Sequence, residues 1–235
     1  MTNAMTHLFS STQLILYHGS DRVIKHPDPY FANTNNDYGR GFYCTESLER
    51  AQDWAARHGA GNGYVNKYSL EMQGLAVLDL TSKDFTPLHW ITMLINHRVL
   101  SADDMTIYGD SFAYLSARYP VDITKFDIAI GYRADDSYFS FTKLFLSNQL
   151  SLQALTQALN LGYLSKQIVL LSEEAHKPEH LQFISAEHIT DPVYLKRHNQ
   201  NDKHARDCFR ELRQKDWQSK RGKTYIIDLM RKDSE

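Results

Sequence analysis

Cysteine is scarce in this chain of 235 residues: Cys44 and Cys208, far apart in sequence, are the only two. Two thiols are too few for a disulfide framework or a thiolate zinc site, so a reducing, cytoplasmic setting is the expectation. Long apolar runs are scarce too. No window approaches the roughly 18 consecutive apolar residues of a spanning helix, and the opening MTNAMTHLFSSTQ lacks the basic region and apolar stretch of a secretory signal. No membrane partner is therefore expected. Repeats and low-complexity segments are absent, which argues against solenoids and tethers. What remains is ordinary globular usage, 42% hydrophobic and 23% charged, enough for one core plus a small appendage.

Charge is unevenly distributed. The formal net charge is −2, yet from Lys196 onward twelve Lys/Arg stand against seven Asp/Glu, leaving the tail strongly positive and the preceding residues negative. The shift suggests three segments: a flexible N-terminus over 1–13, a main domain over 14–186 and a basic C-terminal extension over 187–235. The extension reads either as a solvated helix packed on the domain or as a surface for nucleic acid or a partner protein.

Hydrophobic periodicity supplies the elements. LILYH, 14–18, reads as a buried strand, followed by a Pro/Asn/Asp-rich loop and a short strand over 41–45. SLERAQDWAARH has a capping Ser47 and apolar residues at helical spacing, predicting a helix over 47–58. Strands follow over 64–72 and 75–80. Residues 87–118 read as helical with a break around Tyr108 to Asp110. FDIAIGY, 126–132, is a strand; 135–150 and 151–162 read as helices, the second ended by Gly162. SKQIVLLS, 165–172, is a core strand and LQFI, 181–184, a short one. Beyond them 202–219 is modestly amphipathic, and TYIIDLM, 224–230, reads as a final strand. Because strands cluster instead of alternating strictly with helices, the class is α+β.

HGAGNGYV, 58–65, looks like a dinucleotide-binding glycine loop, but it follows a helix and precedes a strand. The fingerprint requires the opposite order, so this stretch is a loop.

LYHGS, then DYGRGFYCT, then a helix carrying Trp54, and finally the strand SKQIVLL form an ordered set. Together they resemble the ADP-ribosyltransferase superfamily, in its diphtheria-toxin and poly(ADP-ribose) polymerase branch with an H-Y-E triad. The chain is most similar to a small bacterial family of ADP-ribosyltransferases marked by LYHGS, GxGFY, an IGxxADD segment (here IGYRADD, 130–136) and a QIV strand, with an H-Y-Q pattern. The likeness spans about Leu14 to Ile184. It implies a split β-sandwich with flanking helices, NAD as substrate, and transfer of ADP-ribose to a macromolecular acceptor, protein or nucleic acid. A toxin of a toxin–antitoxin or phage-related system, with an antitoxin as partner, fits the same resemblance.

The resemblance assigns roles that the chemistry also requires. Cleaving the nicotinamide–ribose bond passes through an oxocarbenium-like state, so the sugar must be fixed, the leaving ring held and negative potential placed nearby, without a metal. His18 would hydrogen-bond the adenosine ribose, and the backbone of Gly19 would read the carboxamide, where a larger side chain would obstruct approach. Tyr43 would stack on the nicotinamide, with Trp54 as a second aromatic. Ser20 would offer a hydroxyl. Ala51 stands where the polymerases carry a serine, so that contact is missing. Gln167 occupies the usual glutamate position, with Glu173 and Glu174 just beyond as alternative carboxylates. A glutamine accepts a hydrogen bond from a ribose hydroxyl but brings no charge.

Read without the family, His18 is a satisfied strand-end histidine and Tyr43 and Trp54 are core aromatics. Asp135 and Asp136 suit a helix start better than a metal. His176 and His180 have Pro178 between them and no third ligand in view, which argues against zinc. Three function classes follow: an NAD-dependent ADP-ribosyltransferase, a non-catalytic module that binds NAD or a nucleotide, and a nucleic-acid-binding protein that uses the basic tail.

Overall fold

The computed structural model describes residues 13–58, 61–98, 100–133, 136–159, 166–219 and 221–233. They form a mixed α+β structure with two sheets and seven α-helices. Strand β1 (Gln13–Ser20) is followed by β2 (Phe42–Cys44), helix α1 (Leu48–His58), β3 (Gly63–Glu71) and β4 (Val77–Asp79). Helices α2 (Pro87–His97) and α3 (Ala102–Arg118) lead to β5 (Ile128–Gly131), then α4 (Asp136–Leu146) and α5 (Leu152–Leu159). Strands β6 (Gln167–Leu170) and β7 (Leu181–Ile189) precede α6 (Pro192–Gln218) and α7 (Ile226–Lys232).

The first sheet, in order β1-β3-β7, is antiparallel throughout. The second, β2-β6-β5-β4, is antiparallel except for the parallel pair β4–β5. A single bridge joins them: Tyr17 and Thr45 exchange backbone hydrogen bonds of 2.8 and 3.0 Å. Apolar side chains of β1, β3, β5 and β6, with Phe42 and Cys44, fill the space between the sheets. A larger core lies on the other face of the second sheet, where Trp90, Phe141 and Phe145 from α2 and α4 close over Ala129 and Val169.

Helix α1 covers the first sheet by a different device. Its inward residues are Ala51, Ala55 and Ala56, all buried against Val65 and Ile189. Beneath them lie two glycines. A Cβ at Gly19 would fall 2.6 Å from the Ala55 nitrogen and overlap the Ala51 carbonyl oxygen; one at Gly63 would overlap the Ala55 carbonyl and come within 2.8 Å of the Ser20 oxygen. Helix and sheet therefore meet backbone to backbone, which only residues without bulk permit.

Three expectations need correction. The helical break over 87–118 comes after His97, the last residue of α2, and before Ala102, the first of α3, where Ser101 caps α3 by accepting from the Asp104 amide at 3.1 Å. Gly109 sits inside the helix with open space around it and needs no break. TYIIDLM forms α7, not a strand. Asp228 accepts from the Tyr225 amide at 2.9 Å to cap its start, and Ile226 is fully buried, so helical spacing buries the apolar side chains without needing a sheet edge. The LQFI strand runs on through nine residues, pairing with β3. Gly162, Ser165 and Asp135 lie outside the described residues, while Asp136 opens α4.

The basic tail is fastened to the body. Asp53 on α1 is buried, and its carboxylate accepts from Arg197 Nε at 2.6 Å and from Asn201 at 3.1 Å. Further along, the buried Asp216 accepts from Ser151 at 2.6 Å and pairs with Lys223 at 2.8 Å.

Two stability measurements test this packing. Replacing Asp53 with Ala removes the buried carboxylate that joins Arg197 and Asn201 to α1, leaving Arg197 its contacts with Glu49 and Gln52, and is expected to lower unfolding free energy by about 1–3 kcal/mol in urea titration, less for Asp53→Asn. Gly19→Ala must push α1 off the sheet and is expected to cost about 3 kcal/mol; an unchanged midpoint would show that the contact yields easily.

Candidate functional site

β1 ends and β2 begins where the two sheets part, and a cleft of about 560 Å³ opens there, within the size range of small-ligand sites. His18, Gly19, Ser20, Tyr43, Trp54 and Gln167 all line it. Four elements thus bring together the residues singled out in sequence: β1, β2, α1 and β6.

His18 spans the junction. Its Nδ1 lies 2.7 Å from the Tyr43 carbonyl oxygen, and its ring packs on Phe42 with centroids 4.5 Å apart. A carbonyl only accepts, so Nδ1 carries the proton. Burial lowers the His18 pKa; the Tyr43 carbonyl pulls the other way and His58 adds to the lowering. The ring is neutral at pH 7, and Nε2 is left as an acceptor.

Tyr43 holds the entry loop. Its hydroxyl donates to the Gly39 carbonyl at 2.6 Å and accepts from the Tyr38 amide at 3.1 Å. Burial pushes that hydroxyl well above the ordinary tyrosine range, so it stays protonated. Tyr38 is itself locked, donating to the Tyr132 carbonyl at 2.8 Å and accepting from Trp90 Nε1 at 3.2 Å.

Gln167, the first residue of β6, pairs in register with Gly131. Its Oε1 is buried and has no hydrogen-bond partner among the described residues. A buried acceptor left unmade costs about 1–3 kcal/mol, and such groups in native structures call for an explanation, a bound ligand or water among them. Glu173 and Glu174, weighed as substitutes, are not among the cleft-lining residues. Glu173 accepts from Tyr30, and Glu174 pairs with Lys177 at 2.6 Å.

Two other roles take a different form from the sequence reading. Ser20 lines the cleft, but its hydroxyl donates to the Arg22 carbonyl at 2.5 Å and accepts from Asn66 at 3.0 Å, so it is engaged in shaping the loop after β1. Gly19 is required by the backbone contact with α1, whatever approaches from the cleft side.

Sequence reasoning gave no role to the charged lining. Asp37 is buried and accepts from Arg98 Nε at 2.9 Å. Trp54 is flanked by cations, with the guanidinium of Arg133 3.9 Å and that of Arg57 5.0 Å from its ring centre. His58 stacks edge-on at 4.8 Å. Six Lys/Arg line the cleft against three Asp, an excess of positive charge suited to an anionic ligand. Asp37 and Arg133 lie inside the quoted segments DYGRGFYCT and IGYRADD, so the signal was present; Arg98 stands 61 residues from its partner and has none.

Fold and cleft define a two-sheet α+β protein with a cleft at the junction of its sheets in which Lys and Arg outnumber Asp. Residues 14–183 match the model of the DUF3990 family, described as a protein of unknown function, and the chain belongs to that family. No curated protein and no solved structure matches it. Among the described residues no helix is long and apolar enough to cross a membrane.

The histidines, two of which line the cleft, give the protein a pH signature. Burial lowers the pKa of His18, His58, His89, His176 and His198 below the ordinary value of 6.5. Above that value folded and unfolded chains are both neutral at these positions, and their contribution to stability is complete. As pH falls through 6.5 toward the lowered folded values, the unfolded chain takes up protons first, and stability drops. Urea midpoints are expected to decline from pH 7.5 to 5, by up to ~1.4 kcal/mol per pH unit for each histidine. His18→Gln should flatten the slope; an equal slope in that variant would mean His18 is not held neutral.

Proposed function

We propose that the protein is an NAD-dependent ADP-ribosyltransferase, cleaving the nicotinamide–ribose bond and passing ADP-ribose to a macromolecular acceptor. One observation carries the reading: His18, Tyr43, Trp54 and Gln167, the residues that the superfamily resemblance selects from four separated segments, line one cleft with a cationic wall. In this reading the protein is an ADP-ribosyltransferase-like split sandwich whose sheets part at the bridge between Tyr17 and Thr45.

Each group then has a task. Nε2 of neutral His18 accepts a ribose hydroxyl, which fixes the sugar. Tyr43 presents an aromatic face to a flat leaving ring, and at Trp54 a cationic nicotinamide takes the place that a guanidinium holds, favoured by the ring for the same reason that Arg133 is. The unpartnered Oε1 of Gln167 accepts the hydroxyl that glutamate accepts elsewhere in the superfamily. Arginines on the cleft wall face the pyrophosphate. Absence of charge at 167 makes bond cleavage slow, because a carboxylate about 4 Å from the developing cation is worth roughly 4 kcal/mol at an effective dielectric near 20. A second reading, a module that binds NAD without cleaving it, is favoured by that same missing charge.

The test is incubation of the purified chain with adenylate-labelled NAD and cell lysate, following free nicotinamide and label on macromolecules. Labelled product that disappears with His18→Ala and Gln167→Ala is expected. Gln167→Glu should speed nicotinamide release, by up to about a thousandfold. NAD binding with neither product selects the non-catalytic module, and no binding at all rejects both.

A further inference from the structure

Helix α6 is fastened to the body along one side, from Arg197 at its start to Asp216 near its end. Successive residues turn by about 100°, which places Lys196, Lys203, Arg206, Arg210, Arg213 and Trp217 within an arc of about 100° on one side. All six side chains are exposed, Trp217 to 68%. The opposite side carries Ala205 and Asp216, both buried, and Arg197 and Asn201 on the α1 flank are tied to Asp53. The stripe therefore faces solvent, away from the body. No acidic residue falls inside it. Asp202 and Asp207 stand at its margins, pairing with Arg206 at 2.5 Å and Arg210 at 2.8 Å. Lys196, Lys203 and Arg213 have no ion-pair partner among the described residues.

We propose that this outer face of α6 binds nucleic acid through its phosphate backbone. From Lys196 to Arg213 the stripe is about 25 Å long at 1.5 Å per residue, the length of roughly seven base pairs of duplex at 3.4 Å each. Five cations along one line match a line of phosphates. An anionic membrane is a poorer fit, since a surface-lying helix inserts an apolar face, and the apolar residues of α6, Phe209 and Leu212, are packed against the main core. An acidic protein is poorer too, because protein interfaces have an apolar centre and Trp217 is the one large apolar side chain on the stripe. Binding is independent of base sequence, and the surface is separate from the cleft, so it stands whether or not the catalytic reading does.

The experiment measures fluorescence anisotropy of the full chain, without NAD, on a labelled DNA duplex and a labelled single-stranded RNA of about 20 nucleotides each, from about 50 to 200 mM salt. Affinity should fall about a hundredfold or more over that range. The triple variant Lys203→Glu, Arg210→Glu, Arg213→Glu should bind at least tenfold more weakly at low salt and lose about three from the slope of log affinity against log salt. Should circular dichroism show that variant unfolded, Lys196→Gln with Lys203→Gln is measured instead, with a loss of about two in slope expected. Preference for duplex or single strand identifies the form bound. Native-like binding by a folded variant, salt-independent binding, or tighter capture by phosphatidylserine vesicles or polyglutamate overturns the proposal.

Discussion

Helix α1 rests on the first sheet with backbone against backbone, and the cleft takes its form from that contact. Gly19 and Gly63 supply no Cβ, Ala51, Ala55 and Ala56 supply the least that a helix can carry, and the layers close to a separation larger side chains forbid. The geometry fixes the outward side of α1 as well. Trp54 and Arg57 come to the end of β1 because the alanines on the same turns face inward. A helix docked through small residues has little buried area to hold it, and the Asp53 carboxylate, gripped by Arg197 and Asn201, adds polar fastening from outside.

The cleft lining combines neutral hydrogen-bonding groups with charge. The neutral ones are an imidazole kept neutral by burial, a phenol kept protonated and a carboxamide. Guanidinium groups occupy the wall, stacked on Trp54 or paired with Asp37. Such a combination suits a ligand whose sugar needs orientation and whose phosphates need countercharge, since an ion buried without a partner costs far more than a neutral donor or acceptor.

Much of this was legible in sequence, and the exceptions have physical causes. β1, β2, α1, β3 and β6 read correctly because apolar runs and turn residues bound them sharply, and the cleft residues lie at their ends. HGAGNGYV, expected as a loop, holds the end of α1 at His58 and the start of β3 at Gly63, so of its described residues only Gly61 and Asn62 connect the two; the helix-then-strand order is the one expected, and Gly59 and Ala60 lie outside the described residues. α7 was misread because two isoleucines after a tyrosine favour a strand locally, whereas burial of Ile226 and the cap at Asp228 are tertiary facts. The break between α2 and α3 was misplaced because Gly109 looks like punctuation, yet Ser101 and Asp104 form the stronger signal. Asp37 with Arg98, and Asp53 with Arg197, join segments that no local pattern relates.

That last pair bears on the order in which the molecule is made. Asp53 and Arg197 are 144 residues apart, and closing so long a loop comes late, after local helices and hairpins have formed. During synthesis from the N-terminus, α1 emerges with Asp53 facing Arg50 of its own helix at 3.9 Å, while the closer partner Arg197 is still to be made. Until the start of α6 is made, the wall that carries Trp54 lacks its clasp. Completion of the cleft is thereby tied to a segment made 144 residues after Asp53, and any activity the cleft has waits for that segment.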